Sequence, residues 1–308
     1  MFWLVAAGVA LVPVALGGRA AKALAAAAWA RRHPRAALVL WQAIGLAGGL
    51  GAVGVGLVAA VAPLAAAFPH GMHTFLHQVL DGRALDGLGP AHSLALAWSA
   101  GLLAWLAACT IRTAVRTVAE QRRQRTLVDV LADGHGDDVY VLPGAEPVAY
   151  CVPGRRARIV LSRGALDLLD QTELDAVLAH ERAHARGRHD LSLMPFVALA
   201  RAFPWLPAAR IARRAVPVLL EMIADDRARR VSGDTALARA IVLMSATTPE
   251  AAFGLAEEGV VHRVERLLSR GRAGRWTPAA AYAAAVALLS GPLAVLVAPV
   301  VCGMFWPA

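Results

Sequence analysis

The chain has 308 residues, of which 58% are hydrophobic, and its mean hydropathy is positive. Such a composition is too apolar for an ordinary soluble enzyme, so we expect a membrane protein. The net charge is +9, but the arginines cluster beside apolar stretches, which indicates membrane orientation rather than binding of nucleic acid. The three cysteines, Cys109, Cys151 and Cys302, lie far apart, so neither a disulfide framework nor a cysteine-based zinc site is expected.

Four segments without acidic or basic side chains are long enough to cross a bilayer. They cover about residues 2–18, 36–68, 92–111 and 276–308. Basic residues follow the first segment rather than precede it, which favours a retained span over a cleaved signal. The second is interpreted as one span, tilted or broken near its glycines, because two spans and a turn would need more residues. The sequence thus predicts three transmembrane helices in residues 1–111, with a short external loop at 69–91, and a fourth at the end.

The distribution of basic residues between the spans predicts their orientation. Five basic residues lie between the first and second spans, one lies between the second and third, and five follow the third. By the positive-inside rule the N-terminus is outside and residues 112–275 are cytoplasmic. The arginine-rich and alanine-rich composition suggests a bacterial genome, so we expect a multi-pass protein of the bacterial inner membrane. Arginines also precede the last span and are interpreted as a juxtamembrane anchor: Arg263, Arg266, Arg270, Arg272 and Arg275.

Residues 112–275 have the length of one domain. A polar helical stretch runs to Asp133 and is followed by three strand-like runs, at Val139–Leu142, Pro147–Val152 and Ala157–Leu161. Helical segments then continue to the last span, which predicts an α+β domain. The apolar run Leu191–Leu206 is interpreted as a buried or interfacial helix, because a single crossing there would separate the two halves of the domain.

The pattern H-E-x-x-H occurs once, as His180, Glu181 and His184. Positions i and i+4 lie on one face of a helix, so both imidazoles can reach a single metal ion. Glu181 lies beside them, where it can act as general base on a water molecule. Thr172 and Asp175 form a capping pattern that predicts the start of this helix. The alternative is an ordinary surface helix on which the two histidines are solvated and have no catalytic role.

A catalytic zinc site needs a third protein ligand. The preferred candidate is Glu221, and Asp225, one helical turn later, can accept a hydrogen bond from a ligand histidine. Asp190 is the alternative third ligand, because it occupies the place of the third histidine in a metzincin-like extension of the motif, with His189 one residue early.

These motifs, His180-Glu-Arg-Ala-His184, Asp190 and Glu221-x-x-Ala-Asp225, resemble the BlaR/MecR-type family of membrane-embedded gluzincin peptidases. The stretches Arg158–Ser162 and Arg263–Leu268 are similar too. The resemblance implies one Zn²⁺ per chain and a gluzincin-type peptidase domain beside four transmembrane helices. It implies cleavage of a cytoplasmic winged-helix transcriptional repressor, often in response to an external signal. We expect a short form, without the extracellular penicillin-binding sensor domain of β-lactam-sensing members. The implied zinc ligands are His180, His184 and Glu221, with Glu181 as the catalytic base.

The resemblance also implies how substrate would bind and react. An extended substrate would add to a sheet edge beside the zinc, for which Arg158–Leu161 is the candidate. The chemistry of the reaction also requires a cationic or hydroxyl group to assist the oxyanion, and Arg227 is the candidate helper. The expected partners are the repressor and the lipid bilayer, with no direct binding of nucleic acid.

Two other functions are compatible with the sequence. One is a membrane quality-control peptidase of the HtpX type, although only 36 residues, Ala185 to Leu220, separate the two motifs, too few for the membrane hairpins typical of that type. The other is a non-catalytic membrane receptor. In the loop at 69–91, His73 and His77 are spaced i, i+4 and His70 precedes them. They suit a metal or pH sensor if the loop is helical, although interfacial histidines are commoner.

Overall fold

The computed structural model describes residues 2–66, 68–134, 138–154, 156–246, 253–269, 274 and 276–305. Within them, four helices are long and apolar enough to cross a membrane, judged by length and composition: Ala6–Ala26, Pro34–Leu64, Pro90–Leu131 and Thr277–Ala294. They coincide with the four predicted spans. The end of the last predicted span, 306–308, lies outside the described residues, as do Arg270, Arg272 and Arg275.

The N-terminal part of the chain is helical throughout most of its length. Its helices are α1 (Phe2–Ala26), α2 (Ala28–Arg32), α3 (Pro34–Val61), α4 (Phe68–Leu80) and α5 (Pro90–Leu131), with a short 3₁₀ turn at Ala62–Leu64. The segment 69–91, predicted as a loop, therefore contains most of a helix. The α4 side chains Met72 and Phe75 are buried against Val58 and Val61 at the end of α3.

The second span, predicted to be tilted or broken near its glycines, has no break at those glycines. Helix α3 runs unbroken and gives way to the 3₁₀ turn, which contains Pro63. The glycines instead allow close helix packing: a Cβ at Gly51 would collide with the carbonyl oxygen of Ala10, and one at Gly56 with Ser99. Small residues at such crossings let helix backbones approach closely in a membrane.

The third predicted span and the polar stretch after it form one helix. Helix α5 has 42 residues, a length of about 63 Å, roughly twice the thickness of a bilayer core. Its second half therefore extends beyond the apolar segment and leads directly into the sheet.

The sheet has four strands, β1 (Asp133–Gly134), β2 (Val139–Leu142), β3 (Ala149–Val152) and β4 (Arg158–Ser162), in the order β1-β2-β4-β3. Strands β2 and β4 are parallel, and the other two pairings are antiparallel. The three predicted strands are present, each within two residues of its expected bounds. Because β4 lies between β2 and β3, the expectation that Arg158–Leu161 is a free edge is wrong. The free edge on that side is β3.

In the described part of the chain, seven helices follow the sheet: α6 (Arg163–Leu168), α7 (Gln171–Gly187), α8 (His189–Ala202), α9 (Pro207–Ser232), α10 (Asp234–Ala246), α11 (Phe253–Leu268) and α12 (Thr277–Phe305). Helix α8 overlaps the predicted helix at Leu191–Leu206, and its Phe196 side chain is buried against α9 and α3. Helix α7 packs between the sheet, α9 and α10. The start of α3 also packs on α9, through Ala37 and Trp41 against Val216. This packing sets α7 and α9 side by side.

Candidate active site

Helix α7 carries the H-E-x-x-H pattern, and its ends are fixed by local contacts. Asp170 caps the N-terminus by accepting a hydrogen bond from the Glu173 amide at 2.8 Å, and the Glu173 carboxylate accepts one from the Asp170 amide at 3.0 Å. This reciprocal capping box replaces the predicted Thr172 and Asp175 pair, so the helix begins earlier than expected. The helix ends at Gly187, and Arg188 adopts the left-handed conformation with φ 46°.

Three predicted ligands converge between α7 and α9. The Nε2 atoms of His180 and His184 lie 3.1 Å apart. The Oε2 atom of Glu221 lies 3.2 Å from Nε2 of His180, and its Oε1 atom lies 3.4 Å from Nε2 of His184. Among the described residues, these form a group of three side chains whose ligand atoms all lie within 4.8 Å of one another.

This triangle fits a tetrahedral zinc ion. Zinc binds imidazole nitrogen and carboxylate oxygen at about 2.0–2.2 Å, so two ligand atoms of a tetrahedral site lie roughly 3.3 Å apart. The two imidazole nitrogens, 3.1 Å apart, agree with that value, and they lie 3.2 and 3.4 Å from different oxygens of the Glu221 carboxylate. Two histidines and one carboxylate also match the donor set of catalytic zinc sites, which keep a fourth position open.

Asp225 and Arg263 position the His180 ring from the side that faces away from the other two ligands. The Nδ1 atom of His180 lies 3.0 Å from the fully buried carboxylate of Asp225. Arg263 in turn donates two hydrogen bonds to Asp225, of 2.7 and 2.8 Å, and its Nη1 lies 3.1 Å from Glu221. Contact with Asp225 fixes the ring so that Nε2 points to the metal position. Arg263 thus joins a ligand and the residue that orients another ligand.

His184 is oriented by a different residue, His189. Their Nδ1 atoms lie 2.8 Å apart. Burial, with the nearby charges of His184 and Arg227, lowers the pKa of His189 to about 4. His189 is therefore neutral at pH 7, and its Nδ1 can accept a hydrogen bond that the Nδ1–H group of His184 donates. That tautomer leaves Nε2 of His184 free for a metal.

The ionisation of the site residues is strongly coupled. Burial opposes a charge on His180, but contacts with Asp225 and Glu221 outweigh it and raise its pKa to about 9. Burial also opposes ionisation of Glu221, yet hydrogen bonds from both histidines and the charge of Arg263 hold its pKa well below the usual range. In the metal-free site, therefore, a proton on His180 occupies the place that a metal cation would take.

Glu181 has the opposite tendency. Burial raises the pKa of its carboxyl above the usual value, against the nearby histidines, and the charge of Glu221 raises it further. A carboxylate with a raised pKa is a better proton acceptor and a better donor near neutral pH. Glu181 thus has the ionisation behaviour expected of a general base.

Two clefts meet at the site. One, of about 420 Å³, lies towards α10 and is mostly apolar, with Leu237, Ile241 and Met244 in its lining. The other, of about 380 Å³, is more polar and includes His189 and Asp190. His180, Glu181 and Glu221 line both clefts. Strand β3 lines both as well, so the free sheet edge runs past the site.

The two remaining predicted residues lie farther from the converging ligands. Asp190 accepts a hydrogen bond from Gln121 and lies 3.4 Å from the Nε atom of Arg188. It lines the polar cleft but is not in the group of three ligand atoms. Arg227 donates to the carbonyl oxygen of Ala183 at 2.9 Å, and it is not among the side chains that line either cleft.

Two residues of this arrangement, Arg263 and His189, had no predicted role in the site. Arg263 was interpreted as part of a juxtamembrane anchor, but its guanidinium is directed into the site. Arg266, one turn later, pairs with Asp226 at 2.7 and 2.8 Å and donates to the carbonyl oxygen of Arg31. The sequence signal that could have indicated these contacts is the i, i+3 spacing of Arg263 and Arg266, which pair with the adjacent acidic residues Asp225 and Asp226 on α9. His189 was considered only within a metzincin-like extension.

Comparisons with known proteins agree with this geometry. Residues 117–249 match peptidase family M48. A protease HtpX homolog of Aquifex aeolicus (strain VF5) is 38% identical over 71 residues, which cover 22% of this chain and 23% of that protein. No solved structure matches the chain significantly. The matched segment contains α7 and Glu221. It does not extend to the BlaR/MecR-type subfamily.

Proposed function

We propose that this chain, with its family M48 domain, is a membrane-anchored zinc metalloendopeptidase. The observation that carries the proposal is the triangle of His180, His184 and Glu221, with ligand atoms 3.1–3.4 Å apart. Glu181 lies next to it, and both border the clefts along a free sheet edge. A solvated pair of histidines would not need the buried carboxylate and arginine that hold this group together.

Each residue has a role in peptide hydrolysis. His180, His184 and Glu221 would hold a zinc ion, which when bound would supply a Lewis acid for the scissile carbonyl and would lower the pKa of a water ligand to about 7. Glu181 accepts a proton from the attacking water and passes it to the leaving amine. Asp225 and His189 hold the ligand imidazoles in the tautomers that ligation requires.

The free edge of β3 suits an extended substrate. The Ser162 amide donates to the Val148 carbonyl oxygen at 2.9 Å, and the Ile159 amide donates to Asp138 on the other side. Alternate residues of an antiparallel strand face its partner, so Ala149 and Cys151 direct their backbone groups to the open edge. A substrate strand can pair with these groups, beside Glu181.

The proposal for the natural substrate is based on the predicted topology and on the resemblance. In the predicted orientation the domain is cytoplasmic, and the resemblance to BlaR/MecR-type peptidases favours a winged-helix repressor as target. A membrane-anchored peptidase of this kind would link an envelope signal to transcription.

A second candidate is membrane quality control. The similarity to a protease HtpX homolog favours it. However, α8, the helix between the two zinc-binding motifs, is not among the candidate spans, so the membrane hairpins of that type have no counterpart in this interval.

Quantitative profiling of new protein N-termini separates the candidates. Cells with the wild-type chain, with Glu181→Gln or with the gene deleted would be compared under envelope stress. We expect a truncated winged-helix repressor in wild-type cells alone. Fragments of membrane proteins instead would establish the quality-control candidate. Identical N-termini in all three strains would reject both substrates.

A further inference from the structure

A second pair of histidines on α4 has the geometry of the first pair. The Nε2 atoms of His73 and His77 lie 3.2 Å apart, against 3.1 Å for His180 and His184. Their ring centroids are 4.5 Å apart and their planes meet at 59°, against 4.8 Å and 64° at the active site. The same i, i+4 spacing produces both arrangements. The two Nε2 atoms thus converge on one point outside the helix.

We propose that His73 and His77 form a second divalent metal site. Two ligands of a tetrahedral ion at about 2.0–2.1 Å are roughly 3.3 Å apart, close to the 3.2 Å of this pair. Imidazole donors select zinc, copper or nickel, whereas calcium and magnesium prefer oxygen ligands. The bound cation is therefore a borderline-soft divalent ion, and water completes its coordination.

The surroundings of the pair favour an accessible, exchangeable ion. The opposite face of α4 is fixed in the core through Met72 and Phe75, so the histidines stand on an anchored helix. His77 is exposed, and solvent can supply the remaining ligands. With two protein ligands instead of three, this site binds its ion more weakly than the active site.

The site is remote from the catalytic one. The end of α3 packs on α4, whereas the start of α3 packs on α9, which carries Glu221. The 24 residues from Ala37 to Val61 span roughly 36 Å. In the orientation predicted from the basic residues, α4 lies outside the membrane, so the ion comes from the external medium. Helix α4 also packs against α12 and α3, two of the candidate spans.

Zinc stoichiometry of the full chain tests the proposal. The protein is purified in detergent without a polyhistidine tag and titrated with Zn²⁺ by calorimetry. The His180→Ala/His184→Ala protein should still bind one equivalent, and adding His73→Ala/His77→Ala should abolish that binding. His92→Ala, a histidine outside α4, is the matched control and should retain it.

A second measurement does not require the His180→Ala/His184→Ala protein to fold. Metal analysis of the otherwise unchanged protein should give two Zn²⁺ per chain, and the His73→Ala/His77→Ala protein should give one, with its circular dichroism unchanged. Equal zinc content in these two proteins would overturn the proposal. So would an absence of binding to a correctly folded His180→Ala/His184→Ala protein.

Discussion

Replacing Arg263 with methionine should destabilise the metal-free protein strongly. The guanidinium contacts Asp225 at 2.7 and 2.8 Å and Glu221 at 3.1 Å. The Arg263 side chain is 14% exposed and that of Asp225 is 1% exposed. Methionine keeps much of the volume but removes the guanidinium from a fully buried carboxylate, whose remaining positive neighbour is protonated His180 at 3.0 Å.

The burial of the two carboxylates determines how much stability the Arg263→Met protein should lose. Breaking a buried ion pair by removing one partner typically costs about 3–5 kcal/mol. Most of this loss comes from Asp225, because Glu221 is 37% exposed and water screens its charge. For a domain of this size the loss corresponds to a fall in Tm of roughly 10 °C.

The loss should depend on pH and on zinc. Burial opposes ionisation of Asp225, but hydrogen bonds from Arg263 and His180 lower its pKa. A lowered pKa stabilises the fold above the unfolded value of 3.8, and this stability is lost as the pH falls through the folded value. The difference between variant and wild type should therefore shrink at acidic pH. Bound zinc should reduce only the smaller part of the difference, because it would supply a positive charge to Glu221 and not to Asp225.

Thermal unfolding in detergent, with EDTA and with zinc, measures these differences. Arg263→Lys retains the positive charge but cannot donate two parallel hydrogen bonds to Asp225. Its Tm should therefore lie between those of the wild type and Arg263→Met. Arg83→Met is the matched control, because Arg83 and Asp81 are 63% and 55% exposed, and it should lower Tm by no more than about 2 °C. If Arg263→Met unfolds like Arg83→Met in EDTA, Arg263 does not hold the site together.

Three further predictions concern the same site. Asp225→Asn should lower zinc affinity by about 10–100-fold without abolishing binding, as measured by competition with a fluorescent chelator; an unchanged affinity would remove Asp225 from the site. Zinc uptake at pH 7.5 should release about one proton, because His180 with its pKa of about 9 is protonated in the metal-free protein and must lose that proton to bind. Affinity should then rise with pH and level off near 9, and calorimetry in buffers of different ionisation enthalpy that finds no proton release would contradict this. Cys151→Pro should lower kcat/KM for a protein substrate by roughly 5-fold, because the open edge loses one donor, whereas Cys151→Val keeps that donor and serves as control.

The elements that sequence patterns predicted well were those governed by local chemistry. The apolar segments and the strand at Val139–Leu142 follow from hydropathy and alternation, and the structure has helices and a strand there. His180 and His184 were paired from their helical spacing, and Glu221 was chosen from its spacing to Asp225 on a second helix and from the resemblance; the structure brings the three ligand groups together. Local spacing suffices when both residues of a pair lie on one helix.

The predictions that failed depended on packing across the chain. Arg158–Leu161 has the composition of any short strand, and only the strand order shows that it is central. Arg263 lies 38 residues beyond Asp225, and charge patterning alone favours a membrane anchor. The glycines of α3 resemble a helix break in sequence, but the neighbouring backbones at Gly51 and Gly56 require them. Long-range contacts of this kind have no periodic signal.

Cleavage of an unfolded protein such as casein by the purified, zinc-loaded chain and by Glu181→Gln tests the central claim most directly. Glutamine retains the shape of the side chain but cannot accept the proton. The account predicts that both proteins bind zinc at the active site and unfold at the same temperature, and that the substitution lowers the cleavage rate by about 10²–10⁴-fold. Equal cleavage rates in the two proteins, at equal zinc content, would contradict the assignment of Glu181 and the peptidase mechanism with it.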